Sequence, residues 1–477
     1  MRDRRSFWTN VRTLASGTLI AQVIAAASAP VLARLFGPAE FGLFASYSAV
    51  AIVLSGFACL QYDMAVMLPK QHKRAASVFL LAIGLAAIVA LLTGATLLLA
   101  RLWDIRISLG GLERWLPASV FAAGALSAAS YWASRLRSFH ELAVSKVTQQ
   151  VVNAFTGIGA ALAGAGTAAV LVAANVVGQF SALLYLSRKV LSRSGSELRA
   201  GFDSAVIRTA AYEYRKFPQY SIWANLMNNA SWQAPVLVLG IFFPVAAVGF
   251  YAVSLRIIQI PMGLISTSVG QVYLQHLSED ADVGKRIAVT ESVFAQLVSL
   301  SLVPCACLAI SGKELFVVLL GRPWAEAGIL AQILAPWALV WFVSSPLSSV
   351  YYSLQKQREE LLLQGLLFTS RTIAVWLGAQ LGGLRVAVTC LALAGIVSYG
   401  VLLRNIFGYV GADVGRAFGQ VRLGGTWLLA ALAGLVVTKL TGLSEMATAA
   451  LATLICAAAV FRLARNWGGP KEILEAA

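Results

Sequence analysis

The chain has 477 residues, of which 59% are hydrophobic and only 12% charged, against roughly 45 to 50% apolar and about 25% charged in soluble domains. A core surrounded by water cannot hide so much apolar surface, so an ordinary cytosolic enzyme is excluded and lipid must be much of the solvent. The 37 Lys and Arg outnumber 21 Asp and Glu, giving +16, an excess better explained by membrane orientation than by nucleic acid.

A segment needs about 20 apolar residues to cross the hydrocarbon layer. Fourteen are read along the chain, beginning near residues 13, 41, 76, 115, 147, 167, 217, 248, 289, 328, 362, 386, 426 and 446. Backbone amides inside lipid must be paired within their own segment, so helices are expected, several of them interrupted by Gly or Pro. The N-terminal run has the basic start and small residues of a signal peptide but continues to Ala33 without a break, so it is read as the first span.

Cytoplasmic connections retain positive charge. With the N-terminus inside, 27 Lys and Arg fall on the inner side and eight on the outer side, leaving Arg256 and Arg371 within spans. This places both termini in the cytoplasm.

An internal repeat organises the spans. Ala29 to Leu32 reads APVL and precedes Phe41-Gly42; Ala234 to Leu237 reads APVL and precedes Val248-Gly249-Phe250. Six spans separate the copies, so both run in the same direction, the mark of a parallel repeat; chance recurrence of an apolar tetrapeptide is the competing explanation. The expected architecture is an all-α polytopic membrane protein of about 14 transmembrane helices, with two pseudo-symmetric six-helix lobes and two C-terminal helices. Residues 1–187 form the first lobe, 188–216 a basic cytoplasmic linker, 217–404 the second lobe, and 405–477 the last two spans and tail. Within the linker, Phe202, Val206, Ile207 and Ala210 outline a short amphipathic piece suited to the anionic inner leaflet, or simply a solvated loop.

Extramembrane segments are short, so function is expected inside the bundle. Charge at the bilayer centre costs about 2.5 to 3.5 kcal/mol on insertion scales and marks a site by default. Arg256 and Arg371 are the two cases, with Asp63 at the inner end of the second span as the nearest acid in the N-terminal half. A cavity with two arginines suits an anionic ligand, since guanidinium forks bind phosphate oxygens in pairs; snorkelling or pairing with carbonyls is the bland alternative. Asn225, Asn228, Asn229 and Gln233 crowd the seventh span at spacings that place most of them on one face. Amides both donate and accept, as sugar hydroxyls require. Scattered amides, among them Gln61, Asn175 and Gln179, are better read as interhelical glue.

Trp337 and Trp341 lie one turn apart, Tyr131 is followed by Trp132, and Tyr351 and Tyr352 are adjacent. Such rings stack on sugars or form interface belts, and the belt is preferred for the two tyrosines. Gly157, Gly159, Gly164 and Gly166 lack a preceding strand and indicate close helix packing rather than a nucleotide loop. The five cysteines fall in apolar spans as packing residues. His72, His140 and His276 are expected in loops, and no metal-site, P-loop or nucleophile-elbow motif is present. No catalytic residue, metal or cofactor is therefore expected; uphill work would draw on an H+ or Na+ gradient or on downstream removal of substrate.

Residues 31 to 45, VLARLFGPAEFGLFA, with QYDMAVMLPK at 61 to 70 and Gly321-Arg322-Pro323-Trp324 before Ala327, resemble bacterial polysaccharide repeat-unit flippases of the O-antigen type. These belong to the multidrug/oligosaccharidyl-lipid/polysaccharide exporter superfamily. The resemblance implies the 14-span layout, the bacterial inner membrane, and translocation of undecaprenyl-pyrophosphate-linked oligosaccharide from cytoplasmic to periplasmic leaflet by alternating access. It implies a cation-lined cavity carried by Arg34, Arg256 and Arg371. Membrane lipids, the lipid-linked glycan, and polysaccharide polymerase and chain-length proteins are the expected partners, with no nucleic acid. A lipid II flippase or a multidrug exporter of the same superfamily is the alternative, the latter weakened because Thr13 to Arg34 holds no carboxylate. A polyprenyl-glycan polymerase or ligase would need larger outer loops.

Overall fold

The computed structural model describes residues 2–104, 109–279, 282–354, 356–421, 433 and 444–465. Every regular element among them is helical. Contacts divide the chain into two compact units, Met1–Leu237 and Val238–Ala477.

The first unit contains α1 (Arg2–Leu35), α2 (Pro38–Ser55), α3 (Tyr62–Ala65), α4 (His72–Leu102), α5 (Leu116–Arg135), α6 (Phe139–Leu162) and α7 (Ala168–Leu186). Two short helices follow, α8 (Gly195–Gly201) and α9 (Ser204–Glu213), and then α10 (Ile222–Phe242), within which the boundary between the units falls. The second unit continues with α11 (Val245–Glu279), α12 (Val283–Leu320), α13 (Ala325–Leu347), α14 (Val350–Ser353), α15 (Gln357–Leu381), α16 (Leu384–Val410), α17 (Val414–Gly419) and α18 (Glu445–Arg465). Thirteen described helices of at least 18 residues occupy the places of predicted spans; the span expected near 426 lies outside the described residues. Eight of them are long and apolar enough by length and composition alone to cross a membrane. Others, such as α6 with Lys146, Gln149, Gln150 and Asn153, are diluted by polar residues.

Local chemistry sets the joints. Gly37-Pro38 starts α2 with proline in its first turn, where its missing N–H costs nothing. The Glu40 carboxylate accepts from the Ala168 amide at the start of α7. Asp203, Asp282 and Asp413 cap α9, α12 and α17 through their side chains. Gly178 lets α7 touch α6, since a Cβ there would lie 2.8 Å from the Gln149 carbonyl oxygen. In α1 and α10 the repeat prolines, Pro30 and Pro235, both sit inside the closing turns of their helices.

Three expectations need correction. The second span is not one helix: α2 stops at Ser55, and turns lead to α3. Within 188–216 the amphipathic piece is helical, and α8 and α9 pack on the core of the first unit. There Ser77 donates to the Gly201 carbonyl at 2.9 Å, Tyr62 to the Ala211 carbonyl at 2.8 Å, and Ala210 is buried, while Phe202 is exposed. His72, His140 and His276 ride on end turns of α4, α6 and α11 rather than in loops, because several helices outrun the bilayer thickness. Tyr351 is no belt residue; it is fully buried, with its ring edge-on to Tyr409. Trp132 is likewise interior, against Phe79 at 5.3 Å.

Candidate functional site

The interruption after α2 builds the site in the first unit. Gly56 follows Ser55 where helix propensity drops, and the chain descends through tight turns, with Phe57, Ala58, Leu60 and Tyr62 amides each bonded three residues back. Leu60 and Gln61 then adopt left-handed conformations, at φ 48° and 65°. Non-helical backbone at membrane depth is tolerated only where protein buries it or where it lines a cavity. Here it lines a cavity.

That cavity has a volume of about 350 Å³. One face of α2 supplies Tyr47, Ser48, Ala51 and Ser55, and α5 supplies Ser119, Gly124 and Ser127 at helical spacing. Asn175 and Gln179 enter from α7, Asn225 and Asn229 from α10, Gln61 from the break and Asp63 from α3 just after it. Each helix contributes its amides one turn apart, and they orient one another: Gln179 Nε2 donates to Asn175 Oδ1 at 2.8 Å, and Asn229 Nδ2 to Asn225 Oδ1 at 3.2 Å. Tyr47 and Ser119 share a hydroxyl contact of 2.5 Å. Cys59 donates to the Gly124 carbonyl at 3.3 Å.

Asp63 is the cavity's one charged lining residue, 8% exposed. Ser127 Oγ donates to its Oδ2, whereas Oδ1 is buried without a hydrogen-bond partner. Gln179 Oε1 is in the same condition. A buried acceptor left unmade costs about 1 to 3 kcal/mol, more if charged, so the cavity is primed for a ligand that donates hydrogen bonds. The following segment is fixed by Arg135 of α5, which donates to the carbonyls of Val66, Met67 and Pro69, the last at 2.6 Å.

The other expected residues are not part of this cavity's lining. Asn228 is exposed and Gln233 half-buried away from the cavity lining, so the amides of α10 divide between faces instead of sharing one. Arg34 is exposed on the last turn of α1. Arg256 is half-buried on α11.

Arg371 is enclosed within the second unit at 2% exposure. Its guanidinium carbon lies 5.5 Å from the Trp337 ring and 5.4 Å from that of Tyr399, and Nη2 donates to the Tyr399 hydroxyl at 2.7 Å. Ring quadrupoles attract a desolvated cation, which lets an arginine sit among aromatics at membrane depth. Trp337 and Trp341 stack on each other, centroids 5.5 Å apart and planes 13° off parallel, rather than waiting for a sugar face. Gly395 of α16 makes room for Trp337, because a Cβ there would run into the indole.

The arginines expected to line one cationic cavity are thus exposed, half-buried and sealed respectively, while the cavity of the first unit is lined by amides, hydroxyls and a carboxylate. Composition could not reveal this. The four residues found only by structure to share the wall with Asp63, namely Gln61, Ser127, Asn175 and Gln179, carry a weak sequence signal: polar residues one turn apart in otherwise apolar spans.

An all-helical bundle with apolar helices and a polar cavity among them is the architecture of a multi-pass membrane transporter. Solved structures agree in fold. The lipid II flippase MurJ in an inward closed conformation aligns at a TM-score of 0.71 and 10% identity, covering 95% of this chain and 99% of that one. An inward-facing multidrug resistance MATE family transporter aligns at 0.60 and 12% identity, covering 84% and 94%. The Vibrio cholerae MATE transporter VcmN aligns at 0.51 and 14%, covering 87% and 98%. No curated protein matches the sequence. The chain belongs to the polysaccharide biosynthesis protein family, which it matches over residues 31–328, and with it to the multidrug/oligosaccharidyl-lipid/polysaccharide exporter superfamily. Its family and fold relatives are flippases and transporters rather than enzymes.

Proposed function

We propose that the protein translocates polyprenyl-pyrophosphate-linked oligosaccharide repeat units across a bacterial inner membrane by alternating access, for synthesis of a surface polysaccharide. The observation that carries this reading is the amide- and hydroxyl-lined cavity around Asp63, with two buried acceptors awaiting donors. Sugar hydroxyls are such donors. Moving an unpaired hydroxyl into hydrocarbon costs roughly 2 to 7 kcal/mol, so a glycan of several sugars crosses only where its hydroxyls are met along the way.

In this reading the glycan is met by Asp63, Asn225 and Asn229 while the polyprenyl tail stays in lipid. The pyrophosphate is left to exposed cations such as Arg34 and half-buried ones such as Arg256. Arg371 acts as a positioning residue that holds the Trp337 stack. Both termini face the cytoplasm, two repeat-related lobes joined through 188–216 carry the motion, and an H+ or Na+ gradient drives it. The polymerase and chain-length proteins of the same pathway receive the product.

A second reading, transport of lipid II, is favoured by the near-complete overlap with the MurJ fold. Deletion of the gene separates the two. Loss of surface polysaccharide with accumulation of lipid-linked repeat units, in cells that still build a wall, supports the first. Rescue of MurJ-depleted cells by this protein, with surface polysaccharide unchanged on deletion, supports the second.

A further inference from the structure

Helix α4 runs through an almost unbroken apolar sequence and ends in Arg101-Leu102. Beside its last turns lies a groove of about 480 Å³, separate from the cavity around Asp63, within the roughly 300 to 1,000 Å³ range of small-molecule sites. Its trench is made by Leu91, Gly94 and Leu98 of α4 and by Pro117 at the start of α5. Leu91 and Leu98 are 73% and 62% exposed. Gly94 leaves the trench floor without a side chain, and a Cβ there would sit in ordinary contact with the Pro117 ring, at 3.6 Å.

The end of the groove is polar. Arg101 and Arg114 line it and are both exposed, and the half-buried Glu113 lines it from the Leu112–Trp115 turn that follows Gly110 and Gly111, two glycines at φ 62° and 82°. Glu113 Oε2 is buried and has no hydrogen-bond partner among the described residues. Three demands therefore meet in one groove. The trench asks for a hydrocarbon chain, the two guanidiniums for a phosphate, and the orphaned carboxylate oxygen for an N–H or O–H donor.

We propose that this groove is a retained-lipid site for a phospholipid bearing a primary amine, with phosphatidylethanolamine as the representative of that chemistry. One acyl chain lies between Leu91, Leu98 and Pro117, the phosphate bridges Arg101 and Arg114, and the ammonium donates to Glu113. Phosphatidylcholine carries the same phosphate and the same charge but no N–H. Phosphatidylglycerol offers hydroxyl donors and the same phosphate, but it has no ammonium to offset the Glu113 carboxylate, so a charge-assisted hydrogen bond from a cationic donor is lost. The site is independent of what the protein transports.

Native mass spectrometry of the full chain in detergent, titrated with phosphatidylethanolamine, phosphatidylcholine and phosphatidylglycerol of identical acyl chains, tests this. Retention of phosphatidylethanolamine should exceed that of phosphatidylcholine by about tenfold, the worth of one hydrogen bond to a charged group. Glu113→Leu should erase that preference without abolishing lipid binding, Arg101→Ala with Arg114→Ala should weaken both lipids, and Gly94→Trp should exclude both by filling the trench. Equal retention of the two zwitterionic lipids by the unmodified protein overturns the proposal, as does preference for phosphatidylglycerol or an undiminished amine preference in Glu113→Leu. The comparison on the unmodified protein depends on no variant folding.

Discussion

Ser127 on α5 donates to Oδ2 of Asp63 at 2.5 Å, so a single hydroxyl holds the carboxylate at the start of α3 while its second oxygen stays buried and unmet. The two residues come from elements 64 positions apart, joined only because the helix interruption turns Asp63 back toward α5. Asp63→Asn keeps the shape and removes the charge. It should reduce repeat-unit translocation by about tenfold, the scale of a charge-assisted hydrogen bond. Surface polysaccharide per unit of membrane-inserted protein is the readout; wild-type output at normal protein level would remove Asp63 from the transport path.

The split of the α10 amides gives a comparison within one helix. Asn225→Leu with Asn229→Leu removes a mutually bonded pair from the cavity wall and should impair glycan passage at unchanged expression. Asn228→Leu alters an exposed position and should leave transport intact. Equal effects of the two changes would show that the cavity face is not the one the glycan meets.

Arg371→Ala deletes a cation held inside the second unit by the rings of Trp337 and Tyr399 and by the Tyr399 hydroxyl. Adding a desolvated cation–ring contact to a hydrogen bond with a charged donor, the loss should be about 3.5 to 5 kcal/mol. Tyr399→Phe keeps the ring and should cost about 1 to 2 kcal/mol. Thermal unfolding in detergent measures both. An Arg371→Ala protein as stable as the parent, but inactive, would instead assign Arg371 to substrate contact.

Gly395→Ala forces a methyl into the space of the Trp337 indole. Overpacking of this kind costs about 1 to 3 kcal/mol. Trp337→Phe in the same chain should return part of it, since the smaller ring vacates the collision. A double-mutant cycle on unfolding free energies reads the coupling, and simple additivity would mean that Trp337 moves aside without resistance.

The helical architecture was legible because lipid permits so few solutions: a run of about 20 apolar residues has to be a helix, and each predicted span within the described residues has one. Interior charge was legible as well, in that Arg371 is indeed buried at depth. Its partners were not, because Trp337 and Tyr399 lie 34 residues before it and 28 after it, and three-residue clusters across helices leave no periodic trace. Asp63 was readable as an acid at a span edge. Its exposure to a cavity depended on the departure from helix at Gly56, where a single glycine in an apolar run is a weak breaker. Asn228 stands off the cavity wall for a different reason. Spacings of three and four straddle an ideal 3.6-residue turn, so neighbours in sequence drift to opposite edges of a face that seems common to both.

Gln61 occupies a backbone conformation, φ 65°, that a glycine would adopt freely. Any side chain at that spot is carried against a local steric penalty of about 1 to 2 kcal/mol. The amide there has a measurable floor value: whatever it does for a passing solute or for its neighbours must be worth at least that much. Gln61→Gly thus weighs the benefit directly, as the gap between the stability gained and the throughput lost.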